Sequence, residues 1–303
     1  MRKMLRRKSS NNSSMIEART VSGTIADILI VLLLIGVMII CFVPLWYVLV
    51  ASVSDGKAMF ATDGLILKPV GGWNLEGYKL ILADNSILVG YRNTLLYVVS
   101  TTLLGLLINV MTGYALSRKT RFGGLMTLFV IITMMFSGGL IPSYMVIRKL
   151  GILNTPLAVI LPTCTNAFFI IMTANAFRSI PKQTIEAAEI DGANHFQVMM
   201  KVGLPQCKGT VAVVVLYNVV TQWNSWFQAM VYLPNARDWW PLQLFIREFV
   251  ANNTSFLMST NPDYSRYLVQ FCLIVVATLP ILVAFPFFLN TIEKGAITGG
   301  VKE

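Results

Sequence analysis

Six long apolar stretches, separated by shorter polar segments, dominate the hydrophobic pattern of this chain. A helix needs about 20 apolar residues to cross a hydrocarbon core of roughly 30 Å, and each stretch reaches that length. Together they leave little chain for a soluble domain. The pattern therefore predicts one all-α integral membrane domain with six transmembrane helices. The predicted spans are about 25–53, 93–117, 124–147, 156–177, 209–232 and 267–290.

Composition and charge distribution agree with this interpretation. Of the 303 residues, 55% are hydrophobic and only 13% are charged, which is too apolar for an ordinary soluble domain. The net charge of +10 does not indicate nucleic-acid binding, because cationic clusters lie beside apolar stretches, in residues 1–20 and 117–123. The positive-inside rule assigns both clusters to the cytoplasm, which predicts that both chain termini are cytoplasmic. Arg148 and Lys149, on the predicted outer side, are the exception.

The chain divides into three predicted regions. Residues 1–20 form a basic cytoplasmic tail, residues 21–293 form the six-helix domain, and residues 294–303 form a cytoplasmic C-terminal tail. The first apolar stretch is far longer than the apolar region of a signal peptide, so we interpret it as an uncleaved helix. The long links 54–92 and 233–266 are predicted to lie outside. Residues 241–249 show the spacing of an amphipathic helix on the outer surface.

Charge is nearly absent from the predicted spans, where only Asp27 falls within a stretch, at its N-terminal edge. Charged side chains at mid-membrane are costly and persist mainly where they relay protons or bind ions. The pattern therefore disfavours a proton-coupled carrier, leaves sodium coupling through carbonyl groups open, and favours a neutral solute. The G-x-x-x-x-G-K-[ST] motif for nucleotide phosphates does not occur, so any ATP hydrolysis would belong to a partner.

The most informative segment is a polar hairpin between the fourth and fifth spans, residues 181–205. Pro181 suits the first turn of a helix. Ala187 and Ala188 then offer a small surface that another protein could approach closely, beside the acidic Glu186. Gly192, which follows Asp191, favours the left-handed turn that ends a helix. A second helix is predicted to lie along the inner membrane surface and to end near Pro205. Its apolar stripe would be Phe196, Met199, Met200, Gly203 and Leu204.

The order E-A-A, D-G-A and L-P within this hairpin resembles the cytoplasmic coupling loop of ABC importer permeases. The resemblance extends over nearly the whole chain, which is similar to the carbohydrate-uptake branch of these permeases. The nearest likeness is to polysaccharide and oligosaccharide permeases of Firmicutes, related to the smaller maltose-transporter permease. Gln183, Thr184 and Ile185 depart from the acid-leucine-acid triplet that is usual there. The other matching blocks include F-S-G-G-L-I-P-S-Y at 136–144, W-N-S-W-F at 223–227 and P-L-Q-L-F-I-R-E at 241–248.

The resemblance implies a type I ABC importer transmembrane domain that is not itself an enzyme. It implies a second homologous permease, two ATPase subunits that bind ATP and Mg²⁺, and an extracellular solute-binding protein. This chain would hold no cofactor and would lie in the bacterial cell membrane, among lipid, with a sugar as its substrate. A different solute class, or an ion-coupled secondary carrier, remains the alternative. The positions that match the ATPase-coupling motif are Glu186, Ala187, Ala188, Asp191, Gly192 and Pro205.

A polar stripe in the fifth span gives the candidates for solute contact. Asn218 and Gln222 are four residues apart, and Trp226 follows at the same helical phase, with Trp223 beside it. Two explanations are open. These side chains could bond to neighbouring helices, or they could line the translocation pathway, with the two tryptophans stacking on sugar rings.

Overall fold

The computed structural model describes residues 21–62, 64–252 and 264–300, and within these ranges the chain is helical without a strand. The helices are named in chain order. They are α1 Val21–Ser52, α2 Gly56–Phe60, α3 Glu76–Ala83, α4 Asn85–Ser117, α5 Gly123–Met135, α6 Leu140–Lys149, α7 Leu157–Thr163, α8 Ala167–Arg178, α9 Lys182–Ile190, α10 His195–Gln206, α11 Lys208–Trp223, α12 Phe227–Tyr232, α13 Leu242–Asn252 and α14 Tyr264–Gly300.

Three of these helices are long and apolar enough to cross a membrane without a break: α1, α4 and the Leu268–Phe287 part of α14. Three bent pairs supply the other apolar stretches. The chain bends by 112° between α5 and α6, by 44° between α7 and α8, and by 83° between α10 and α11. The described residues therefore contain three spans, or up to six if each bent pair counts as one. The six spans predicted from the sequence are therefore the upper limit of this count.

The predicted third, fourth and fifth spans are each interrupted in the structure. The third is broken where Gly139 adopts a φ of 85°, a conformation that a side chain with a Cβ rarely takes. The fourth is broken between Thr163 and Ala167, and the fifth between Trp223 and Phe227. Hydropathy measures how apolar a stretch is over many residues, so it does not detect interruptions of three or four residues.

Helix α4 occupies the centre of the packed bundle, where it contacts α8, α11 and α13. Its glycines allow close approach. A Cβ on Gly105 would lie 2.0 Å from the carbonyl oxygen of Cys164, and one on Gly113 would lie 2.9 Å from the side chain of Thr173. Small residues at such crossings are typical of membrane helix packing. By contrast, α1 is exposed over most of its length and is buried only near its C-terminal end, at Val50–Ser52, which suits contact with lipid or with a partner helix.

Replacing Gly105 with alanine is expected to destabilise the bundle by about 1–3 kcal/mol or more, because the added methyl group meets a backbone oxygen that has no room to move. Gly124→Ala is the matched control, since no atom lies within 4 Å of a Cβ placed there. The measurement is the thermal unfolding midpoint of each variant purified in detergent. Equal midpoints for the two variants would contradict the close approach of α4 to the α7–α8 break.

The links between spans contain the short helices that the sequence indicates. The amphipathic helix predicted at 241–249 is α13, but it packs into the bundle instead of lying free on a surface. Leu242, Leu244 and Phe245 are buried, and the Leu242 N–H donates to Thr94 Oγ1 at 2.9 Å. At the C-terminus α14 continues to Gly300, so the predicted boundary at residue 293 falls inside a helix. The basic tail 1–20 lies outside the described residues.

Candidate functional site

The first arm of the polar hairpin is α9, which begins directly after Pro181 and ends at a left-handed glycine. Gly192 has a φ of 81°, as the sequence predicts. Its N–H donates to the Glu189 carbonyl at 3.1 Å, and the Ala193 N–H donates to the Ala188 carbonyl at 3.0 Å. These bonds satisfy carbonyl groups that the helix end would leave unpaired. The elbow is thus held by backbone bonds that require a residue tolerant of positive φ.

The second arm, α10, starts with a capping box that the sequence reasoning missed. The Asn194 side chain accepts from the Gln197 N–H at 2.8 Å, and the Gln197 side chain accepts from the Asn194 N–H at 3.0 Å. The signal was present, because an asparagine followed three residues later by glutamine is a known helix start. Gln197 therefore caps the start of the second arm.

The predicted apolar stripe on the second arm is only partly right. Met199 and Gly203 are buried, and Val198 is buried with them, whereas Phe196 and Met200 are 62% and 44% exposed. The reason is that Val198–Gly203 forms a π-helical turn, which has more residues per turn than an α-helix and shifts the side chains out of the 3.6-residue phase. Both exposed side chains remain available for contacts outside this chain.

The second arm is fixed to the end of α8. Met199 packs in one cluster with Phe177, Ile180 and Cys207. A Cβ on Gly203 would come within 2.8 Å of the Phe177 ring, so the glycine allows the arm to lie directly on that ring. Since α10 then joins α11 at 83°, the hairpin is mechanically continuous with both the fourth and fifth apolar stretches.

Two carboxylates on α9 have different surroundings. Glu186 is exposed and forms no ion pair among the described residues. Glu189 pairs with Arg118 from the basic link after α4, and its carboxylate lies 3.9 Å from Nδ1 of His195. Sequence reasoning missed Glu189, because its partner is 71 positions away.

A groove of about 850 Å³ runs between α9 and the basic link after α4. Its charged lining residues are Arg118, Lys119, Arg178, Lys182, Glu186, Glu189 and His195.

The other coupling candidates lie on the outer surface of the hairpin. Ala187 and Asp191 are exposed, and Ala188 is half-buried. Pro205 is exposed near the end of the second arm. The structure therefore brings these positions together with Glu186 and Gly192 on one hairpin. Whether they dock an ATPase stays a prediction.

A cavity of about 210 Å³ lies at the far end of α11, and its lining is uncharged. Asn218 and Gln222 belong to it although both side chains are more than nine-tenths buried. The Asn218 Nδ2 group finds no hydrogen-bond partner among the described residues. Buried amides are normally paired, so this donor is an exception. The nitrogen atom is itself buried, so the side chain would have to turn before a molecule in the cavity could accept a hydrogen bond from it. The other lining residues are Thr101, Thr163, Thr221, Asn224, Ser225, Trp226, Phe227 and Gln228.

The two tryptophans predicted to contact solute lie in different surroundings. Trp223 is buried, its Nε1–H donates to the Ala277 carbonyl at 2.9 Å, and its ring lies 6.1 Å from that of Tyr91. It packs towards α14 and does not line the cavity, because it lies about 100° around the helix from Gln222. Trp226 does line the cavity. It reaches it from the break after α11, not as part of a continuous helical stripe.

A bundle of apolar helices that carries an exposed polar hairpin at one end of α11 and an uncharged cavity at the other defines a membrane transport subunit. The chain belongs to the family of binding-protein-dependent transport system inner membrane components, the permeases of ABC importers; the family model matches residues 101–233. That range contains both the hairpin and the cavity. The chain is accordingly an integral protein of the bacterial cell membrane.

Relatives and a solved structure support the membership over nearly the full length. The chain is 30% identical over 282 residues to the polygalacturonan/rhamnogalacturonan transport system permease protein YtcP of Bacillus subtilis strain 168, covering 91% of this chain and 98% of YtcP. It is 32% identical to Protein LplC of the same organism, covering 93% and 97%. In a crystal structure of a bacterial ABC transporter for import of the acidic polysaccharide alginate, one chain matches with a TM-score of 0.83 and 29% identity, over 89% of this chain and 98% of that one. These relatives confirm the resemblance to carbohydrate-uptake permeases.

Proposed function

We propose that this chain is one permease subunit of an ATP-driven importer that moves a sugar or oligosaccharide across the cell membrane by alternating access. The observation that carries the proposal is the physical continuity from the exposed hairpin to the cavity through α11. Transport of polygalacturonan or rhamnogalacturonan by one relative, and of alginate by the structural match, supports a carbohydrate substrate.

Coupling would act through the hairpin, residues 181–205. Glu186 and Ala187 are exposed on α9, where a separate ATPase subunit could bind them. Displacement of α9 would be transmitted through the Gly192 elbow to α10, which is packed on Phe177. It would then reach α11, whose far end contributes Asn218 and Gln222 to the cavity. The complete importer would contain a second permease, two ATPase subunits that bind ATP and Mg²⁺, and an extracellular solute-binding protein.

The cavity suits hydroxyl groups. Amide and hydroxyl side chains donate and accept hydrogen bonds without charge, as a sugar requires. The buried, unpaired Asn218 Nδ2 group would gain an acceptor if its side chain turned towards a bound sugar. These contacts favour a sugar over an ion or an amino acid. They do not discriminate between neutral and acidic sugars, so the neutral solute stays a prediction from the uncharged spans alone.

The decisive experiment is reconstitution of the purified permease pair with its ATPase and binding protein in proteoliposomes. Uptake of a labelled oligosaccharide that requires both ATP inside and the binding protein outside is the expected result. The rival function, an ion-coupled secondary carrier, predicts uptake by this chain alone, driven by a proton or sodium gradient. Gradient-driven uptake without ATP would therefore overturn the proposal.

Thiol labelling tests whether Asn218 faces the pathway. Asn218→Cys is expected to react with a water-soluble thiol reagent in the resting state, in a background without the native Cys41, Cys164, Cys207 and Cys272. Val214→Cys is the matched control on the same helix, because Val214 is 1% exposed and does not line the cavity. Protection of residue 218 in every nucleotide state would mean that its side chain is packed between helices.

A further inference from the structure

A cationic side chain lies against one of the residues that line the uncharged cavity. The guanidinium carbon of Arg247, on α13, is 4.2 Å from the ring centroid of Trp226, and Trp226 lines the cavity. An arginine over an indole ring is held by cation–π attraction. Trp226 therefore holds a charge against one member of the cavity lining. The sequence of the spans does not contain this charge, because α13 belongs to the link between the fifth and sixth spans.

Arg247 differs from two other arginines, Arg92 and Arg237, in the groups that accept hydrogen bonds from its guanidinium. Its side-chain hydrogen bond within the described part of the chain goes to the thioether of Met230, at 3.2 Å, and a thioether is a weak acceptor. The adjacent carboxylate, Glu248, is taken up by Arg237 through two bonds of 3.1 and 2.8 Å. Arg92 donates to the oxygen of Asn93. Among these three arginines, Arg247 is the one for which the described residues supply no oxygen acceptor.

We propose that Arg247, held by Trp226, forms a subsite for the carboxylate of an acidic sugar, so that the importer accepts uronate-containing oligosaccharides. This inference rests on the proposed function and specifies its substrate class. A guanidinium presents paired N–H donors that match the two oxygens of a carboxylate. The amide groups of Asn218 and Gln222 would bind the hydroxyls of the same or the next ring. The acidic polysaccharides carried by the relatives named above fit this arrangement.

The expectation of a neutral solute is thereby revised. That expectation rested only on charges inside the spans, whereas the structure brings a charge from a connecting helix onto Trp226, a residue of the cavity lining. The uncharged lining and the single cation then have separate roles. The lining binds hydroxyls in any sugar, and Arg247 discriminates between a carboxylate and its neutral ester.

The test uses the complete importer, with its binding protein, in proteoliposomes. The probes are labelled trigalacturonate and trimannuronate, each compared with its methyl ester, which has the same rings without the charge. The variants are Arg247→Gln, Arg247→Lys and the control Arg148→Gln, an exposed cation that, unlike Arg247, makes no cation–π contact with the Trp226 ring. Since the binding protein is unchanged throughout, its preference cancels when each variant is compared with the wild type.

We expect Arg247→Gln to lower uptake of the matching uronate at least about tenfold while ester uptake changes by less than about twofold. Arg247→Lys, which keeps the charge but not the paired donors, should fall between, and Arg148→Gln should match the wild type. An equal loss for acid and ester would give Arg247 a structural role and overturn the subsite. Wild-type uptake restricted to the esters would overturn the acidic substrate but keep the sugar importer. No ATP-dependent uptake of any of these sugars would overturn both.

Discussion

Replacing Glu186 with alanine is expected to uncouple ATP hydrolysis from transport while the protein still folds and inserts. The folded chain loses little, because Glu186 is exposed and forms no ion pair within the described residues. The proposed interface loses one member of a charge pair, which typically costs about 2–5 kcal/mol when the other member is left buried. That loss corresponds to at least a tenfold fall in solute-stimulated ATPase activity of the reconstituted complex.

Two comparisons isolate the effect. Glu76→Ala removes an equally exposed carboxylate from α3, in a link predicted to lie on the opposite side of the membrane, and should leave the activity unchanged. Glu189→Gln breaks the ion pair with Arg118 inside the chain and should instead loosen the hairpin itself. Wild-type stimulation of ATP hydrolysis in the Glu186→Ala complex would count against docking through this residue.

Gly192→Val is expected to abolish transport by removing the elbow between the two arms of the hairpin. Valine at a φ of 81° is strained by at least about 1–2 kcal/mol, so the backbone would leave this conformation and lose the bonds to Ala188 and Glu189. No atom lies within 4 Å of a Cβ at this position, so the effect is conformational and not steric. Gly192→Asn should retain most transport, because asparagine tolerates positive φ.

Gly151→Val provides the matched control for strain alone. Gly151 has a φ of 70° and equally open surroundings, but it lies in the link after α6, away from the hairpin. Both valine variants should lower the unfolding midpoint, and only Gly192→Val should also lower ATP-driven uptake. If both lost uptake equally, general destabilisation would explain the result and the elbow would have no special role.

The features predicted correctly from sequence are those encoded by neighbouring residues. The apolar stretches follow from local hydropathy, and the left-handed turn at Gly192 follows from a single glycine placed after a run of helix-forming residues. The proximity of Asn218, Gln222 and Trp226 also followed from short spacing, although the chain reaches Trp226 through a break that the spacing did not reveal.

The features that were missed depend on contacts between distant residues or on a shift of helical phase. The pairing of Glu189 with Arg118 joins two segments that meet only after the bundle has packed. Trp223 turns towards Ala277 on α14, which no pattern within the fifth stretch could indicate. The exposure of Phe196 and Met200 results from one π-helical turn, and Arg247 contacts Trp226, a residue of the cavity lining, from a connecting helix.

Because the chain bends by 83° between α10 and α11, a small rotation at this junction produces a larger displacement at the far end of α11. Asn218 lies ten residues beyond Lys208, at the start of α11, which is roughly 15 Å along a helix that rises about 1.5 Å per residue. A tilt of about 10° at the joint would therefore move the Asn218 amide by roughly 2.6 Å. That displacement is close to the length of one hydrogen bond, about 2.9 Å. A rotation of that size would thus be enough to change which groups in the cavity the Asn218 amide can reach.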